Sequence, residues 1–245
     1  QAVSRGLGDV YKRQVLLSAS VSGYELYQRY NAEEEPRFQW PDKVDIPCNP
    51  DSAEFDCEVY AQVSSTPVKS LQHPTNNEIW IAALNGIITS WDGTTMTEIG
   101  NLSDVISNCH NEQGLLGFEF THDFSSSQEI LLSYTENADC EGGSNLSGMV
   151  IASVEVVDNK INMNSLVELR TIAKENRNHN GGNLHSLNDG TYLWSLGDGG
   201  GSSDPYGNGQ NVHNPLGTIQ YFSYGDKMIE PVSYTHLRAH ETLLD

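Results

Sequence analysis

An all-β chain made of repeated four-stranded units is the fold class that the sequence predicts, and three observations predict it. From Val68 onward the apolar residues come in short runs separated by turn chemistry, and no stretch holds a 3.6-residue period long enough for a helix. Asn85-Gly86 and Asp92-Gly93 follow the runs IWIAAL and IITSW, and such dipeptides are strong hairpin signals because both residues tolerate positive φ. A grammar also recurs, in which a polar turn leads into an apolar strand: HPTNNEIWIAAL from His73, THDFSSSQEILLSY from Thr121 and LNDGTYLWSLGDG from Leu187. Ile79, Ile130 and Tyr192 mark equivalent strands at spacings of 51 and 62 residues. A repeat of about 50 residues with about four short strands is the size of a β-propeller blade. Three blades are fewer than the usual four to eight, so the expected architecture is an incomplete ring of about three blades. A long β-sandwich would also supply short strands, but at intervals of about 8–12 residues and without a blade-length period.

Along the chain, residues 1–14 and 232–245 are set outside the fold. Their strings SRGLGDVYKRQ and VSYTHLRAHET carry no strand or helix period and resemble translated sequencing adapters, which makes the expected object an internal fragment of a longer protein. Residues 15–55 read as a lead-in segment. Its run VLLSASVSG from Val15 suits the end of a signal peptide and is too short to span a bilayer. Residues 56–231 are the partial propeller. Within it Leu115, Leu116, Phe118 and Phe120 read as an inward strand, with ILLSY from Ile130, MVIASVEVV from Met149 and YLWSL from Tyr192 as further strands.

The chain carries 13 basic and 33 acidic residues, a net charge of −20. The terminal strings hold four of the basic and three of the acidic ones, which leaves 9 against 30 and a net −21 for the remainder. Such a field repels nucleic acid and anionic membranes, and because the charges are scattered it marks a solvated surface rather than an acidic tail. Cys48, Cys57, Cys109 and Cys140 form no CxxC pair, so a zinc site is not expected; an even count in spaced loops suits two disulfides and an oxidising compartment, periplasmic or extracellular. Pairing Cys48 with Cys57 and Cys109 with Cys140 is the local choice among three connectivities. Asn101-Leu102-Ser103 and Asn145-Leu146-Ser147 fit glycosylation sequons.

Chemistry concentrates between Asn178 and Gly217. His179 stands in a polar, glycine-rich loop whose neighbours Asn178, Asn180, Gly181, Gly182 and Asn183 permit unusual backbone angles and close approach of a ligand. Asp198 follows the strand YLWSL, so a hairpin-like return would bring its carboxylate to the imidazole, fix the tautomer and raise the basicity of the free nitrogen. His179 and Asp198 are the candidate catalytic pair. The loop from Gly197 to Asn211 matches neither a phosphate-binding loop nor an EF-hand, and no metal ligands are assigned to it. Glu112 and Gln113 sit at the mouth of the inward strand, within reach of a central ligand. His73, His110 and His122 read as turn caps. No Gly-x-Ser-x-Gly elbow supports a serine hydrolase.

Three blocks, EQGLLGFEFTHDF at 112–124, NHNGGNL at 178–184 and GDGGGSSDPYGNGQN at 197–211, together resemble the soluble glucose/sorbosone dehydrogenase family. Members of that family are pyrroloquinoline quinone (PQQ)-dependent aldose sugar dehydrogenases built as six-bladed β-propellers. The resemblance implies that His179 takes the proton of the sugar anomeric hydroxyl while hydride passes to the quinone, and that Asp198 orients it. It also implies that Glu112, Gln113 and Asn178 face the cofactor, and that calcium and the cofactor-binding arginines belong to later blades. Substrate and partners would be a small sugar and an external electron acceptor. Gly217-Thr218-Ile219-Gln220-Tyr221 departs from the family's Gly-Lys-Ile-Leu-Arg, and Glu112 stands where glutamine is familiar. A half-ring this acidic is not expected to grip an anionic cofactor by itself. The alternative is a non-catalytic extracellular propeller similar to the hedgehog-interacting proteins, which bind a protein partner.

Overall fold

The computed structural model describes residues 60–63, 65–137 and 148–233, all within the unit Ile46–Asp245. In them twelve strands form three four-stranded antiparallel sheets, each a meander in chain order. The first sheet holds β1 (Pro67–Gln72), β2 (Ile79–Ala83), β3 (Ile87–Trp91) and β4 (Met96–Asn101). The second holds β5 (Leu115–Phe120), β6 (Glu129–Thr135), β7 (Met149–Val157) and β8 (Lys160–Ile172). The third holds β9 (Gly181–Ser186), β10 (Thr191–Leu196), β11 (Ile219–Gly225) and β12 (Met228–Ser233). A one-turn helix, Phe124–Ser127, and a 3-10 turn, Asn208–Gln210, complete the regular structure among the described residues. No helix there is long and apolar enough to cross a membrane.

The repeat read from the sequence is the blade. Ile79, Ile130 and Tyr192 all fall in the second strand of their sheets, and three blades stand side by side without closing a ring. The hairpins form where the turn chemistry put them: Gly86 and Gly93 take φ of +89° and +97°. Asp92 Oδ1 accepts the N–H groups of Thr94 and Thr95 at 2.8 and 2.7 Å, and Asp189 repeats the device with Thr191 N–H at 2.9 Å.

Period-two alternation divides the blade cores. On β6, Ile130, Leu132 and Tyr134 pack with Trp80, Ile88 and Phe118 between the first and second blades. The intervening Leu131 packs with Leu184, Tyr192 and Trp194 between the second and third. On β7, Val150, Ala152 and Val154 face the first blade, and Met149 and Ile151 the third. The middle blade is thus covered on both faces, which is why its strands read as unbroken apolar runs; β10 buries only alternate residues. Trp194 Nε1 donates to Ser133 Oγ at 2.8 Å, so the indole enters the second interface with its polar atom satisfied.

The innermost strands β1, β5 and β9 draw together. A Cβ on Gly117 would lie 2.6 Å from the carbonyl oxygen of Gly182, so only glycine lets β5 approach β9 this closely. Gly117→Ala is expected to cost about 1–3 kcal/mol, read as a lowered urea midpoint with unchanged slope. Across the same three strands runs an ion pair. Lys69 Nζ on β1 meets Glu119 Oε2 on β5 at 3.0 Å, with side-chain exposures of 13% and 9%. Glu119 also accepts the N–H of Ser186 on β9 at 3.2 Å, and Lys69 donates to the Leu184 carbonyl on β9.

Several expectations lie outside the described residues: the strings at 1–14 and 234–245, the lead-in at 15–55, the Asn145 sequon, and Cys48, Cys57 and Cys140. Cys109 is disulfide-bonded. β12 runs through Ser233, past the boundary drawn at 231.

Candidate functional site

The antiparallel pairing of β9 with β10 sets Gly181 opposite Leu196. His179, just before β9, and Asp198, just after β10, therefore emerge at the same end of the third blade. Backbone bonds hold the two loops: Gly197 N–H donates to Asn180 O at 3.0 Å, and Gly217 N–H to Gly197 O at 2.7 Å. A Cβ on Gly197 would fall 1.9 Å from His179 O, so the glycine is what allows the loops to touch.

His179 itself takes a φ of 53°, a left-handed conformation that costs a non-glycine residue about 1 kcal/mol or more and persists where the surroundings enforce it. Glu112, in the loop before β5, does the enforcing: its Oε2 accepts the His179 N–H at 2.7 Å and its carbonyl accepts from Asn180 Nδ2 at 2.7 Å. His179 Nδ1 lies 2.8 Å from Asp198 Oδ1, which also accepts the Gly200 N–H at 2.9 Å. The imidazole is 45% exposed and the carboxylate 24%. A carboxylate can only accept, so Nδ1 carries the proton and the lone pair is left on Nε2.

Of the residues singled out by sequence, Glu112, Asn178, His179 and Asp198 converge. Asn178 Oδ1 accepts the Gly201 N–H at 3.3 Å. Gln113 lies beneath them, 1% exposed, its Oε1 accepting from Ser107 Oγ at 3.3 Å. Asp204 caps the 3-10 turn through the N–H groups of Asn208 and Gly209 at 2.8 and 3.0 Å, and Asn208 Nδ2 donates to the Asp198 carbonyl at 2.8 Å. This loop is folded on itself, and among the described residues no group of three His, Cys, Asp or Glu stands ready for a metal ion. His73 and His110 cap turns, their Nδ1 atoms accepting from Thr75 N–H at 3.3 Å and Glu112 N–H at 3.2 Å.

The sequence model of the Glucose / Sorbosone dehydrogenase family matches residues 65–227, every strand but β12. The chain belongs to that family. Similar solved structures share the fold: the apo soluble aldose sugar dehydrogenase of Escherichia coli (TM-score 0.53, 21% identity, 65% of this chain and 44% of that one). The PQQ-bound aldose sugar dehydrogenase of Streptomyces coelicolor is another (0.51, 18%, 68% and 47%), and a glucose dehydrogenase a third (0.54, 18%, 69% and 50%). The chain spans half or less of the length of these three structures. No curated protein matches it.

One residue beneath these loops gives almost no signal in the sequence. Lys174 is 2% exposed, and its Nζ donates to the Asn176 carbonyl. The one signal for it is parity, since Lys174 continues inward the alternation of buried Ile172 and exposed Ala173 at the end of β8. Burial pulls its ammonium from the ordinary 10.5 down to about 8, opposed by the carboxylates of Glu112 and Glu175. The folded protein gives up this proton before the unfolded chain does, so stability is expected to rise with pH from about 8 towards 10.5. Above about 10 the trend reverses, because burial pushes the Tyr134 and Tyr224 phenols up and the unfolded chain loses those protons first. Thermal melts between pH 7 and 11 check this, and Lys174→Met is expected to lose the rise.

Proposed function

We propose that this chain is part of a quinoprotein sugar dehydrogenase that oxidises an aldose at its anomeric carbon, with His179 as general base. One observation carries the reading: the 2.8 Å contact of His179 Nδ1 with Asp198, which reserves Nε2 for a proton. Nε2 accepts the proton of the C1 hydroxyl as the C1–H bond breaks and the C1=O bond forms. Asp198 holds the ring in that tautomer and stabilises the imidazolium that results. Glu112 fixes the left-handed turn, so the ring does not have to be ordered when substrate arrives.

Pyrroloquinoline quinone, when bound, supplies the acceptor for the hydride leaving C1, and an external acceptor then takes the electrons. Two observations fit such a group. Gln113 Nε2 and Asn176 Nδ2, beside the His179 loops, are buried donors without a partner among the described residues, and a carboxylated quinone is rich in acceptors. Gln113 and Asn176 would hold it, with Glu112 and Asn178 along its edge. The acidity of the chain opposes a tricarboxylate. We therefore assign the cationic clamp and calcium to parts beyond the described residues, and expect no turnover from these residues alone. The disulfide at Cys109 supports a periplasmic or extracellular location.

The test is aldose-dependent dye reduction by protein made from its complete reading frame and supplied with the quinone and calcium. Turnover supports the reading. Its absence from folded, loaded protein overturns it and leaves the partner-binding propeller.

A further inference from the structure

We propose that Asn180 is a positioning residue for His179, tying the histidine turn to the Glu112 loop through its side-chain amide; the proposal rests on the dehydrogenase reading of this site. Asn180 is 3% exposed, next to an imidazole that is 45% exposed. Its Nδ2 donates twice, to the Glu112 carbonyl at 2.7 Å and to the Arg177 carbonyl at 3.1 Å. Both partners are main-chain oxygens, which only accept, so the amide cannot be turned round without losing both bonds. One nitrogen thus closes the turn at 177–180 on itself and fastens it to the loop before β5. The main-chain carbonyl of Asn180 accepts the Gly197 N–H at 3.0 Å, so the Asp198 loop is joined at the same residue.

This arrangement has a cost that a packing role does not account for. Asn180 Oδ1 is buried and has no hydrogen-bond donor among the described residues. Leaving a buried acceptor unmet is unfavourable, and a leucine of similar volume would fill the place without it. What the leucine lacks is the pair of donors. Those donors act where the backbone needs holding, since His179 before Asn180 and Gly181 after it take positive φ of 53° and 72°. Glu112 Oε2 accepts the His179 N–H at 2.7 Å, and Asn180 holds the carbonyl of that same residue. Side chain and main chain of Glu112 therefore grip neighbouring residues of one turn. Asp198 orients the ring, whereas Asn180 sets the backbone from which the ring projects, and a displacement of about 1 Å there costs a general base up to about 10²-fold.

The test is native-state hydrogen exchange of the His179 N–H in the full chain, which requires no turnover and so separates this proposal from the fate of the dehydrogenase reading. Asn180→Ala is expected to lower the protection of the His179 N–H by about 10–100-fold, while amides in the middle of β10 keep theirs. Glu112→Ala removes the acceptor itself and should do the same, with the double variant no further changed, because both substitutions act on one bond. A folded Asn180→Ala protein in which His179 keeps its protection, in which protection falls evenly through the blade, or whose loss adds to that of Glu112→Ala would overturn the proposal. If Asn180→Ala does not fold, the Asn180 side-chain protons decide in wild-type protein. Slow exchange in step with the His179 N–H supports the tie, and exchange at the rate of a free amide beside a protected His179 N–H overturns it.

Discussion

Replacing His179 by alanine is expected to lower kcat for aldose oxidation by about 10²–10⁴-fold while KM changes little. The size follows from what the proposed mechanism would lose: a positioned base that accepts the hydroxyl proton as C1 gives up hydride. The alanine also keeps the left-handed turn under the grip of Glu112, because that bond uses the backbone N–H at 2.7 Å rather than the ring. Binding should therefore survive. Asp198→Asn is expected to fall in the same range for another reason. An asparagine amide can donate to Nδ1, which moves the ring proton to Nε2 and leaves a donor where the mechanism needs an acceptor. Because the two residues act as one unit, the double variant should be scarcely slower than either single one. Steady-state dye reduction with the loaded, full-length protein checks all three, and additive losses would show that the pair does not act together.

Removing the carboxylate of Glu119 is expected to cost about 3–5 kcal/mol of stability. Glu119→Ala leaves the Lys69 ammonium in a site only 13% exposed, and deprives Ser186 N–H of its acceptor at the junction of β1, β5 and β9. Little of that loss is the worth of the pair itself, since most of it is the penalty for the stranded charge. Replacing both residues with apolar ones, Lys69→Met with Glu119→Leu, should accordingly recover the larger part. Urea unfolding measures both. A single variant within 1 kcal/mol of wild type would mean that water reaches the pair and that the innermost strands are held by packing alone.

The middle blade was the most legible part of the chain because both of its faces are buried. Its strands β6 and β7 spell continuous apolar runs that need no partner to be recognised. Asp92 and the glycines of the hairpins could be read because turn chemistry is local. The outermost strand β8 was not legible: thirteen residues long, it mixes buried and exposed positions and shifts register twice against β7, so it shows no clean period. The turn Phe124–Ser127 is too short for a helical period to register. At the site the pattern is similar. His179 and Asp198 stand 19 residues apart across one hairpin, a distance a sequence argument can bridge. The grip of Glu112 on His179 spans 67 residues and the bond from Lys69 to Leu184 spans 115, joining blades that only the folded chain brings together. Lys174 was hidden differently. A lysine beside glutamate and arginine reads as solvated surface, and only the parity of the preceding strand says otherwise.

The most direct test of the account is the tautomer of His179, read from long-range 1H–15N correlations of the ring in the full chain at a pH above its titration. The account predicts a protonated Nδ1 hydrogen-bonded to Asp198 and a bare Nε2, with the Nδ1 proton signal lost in Asp198→Ala. A ring protonated on Nε2, or an Nδ1 proton indifferent to Asp198, would contradict it.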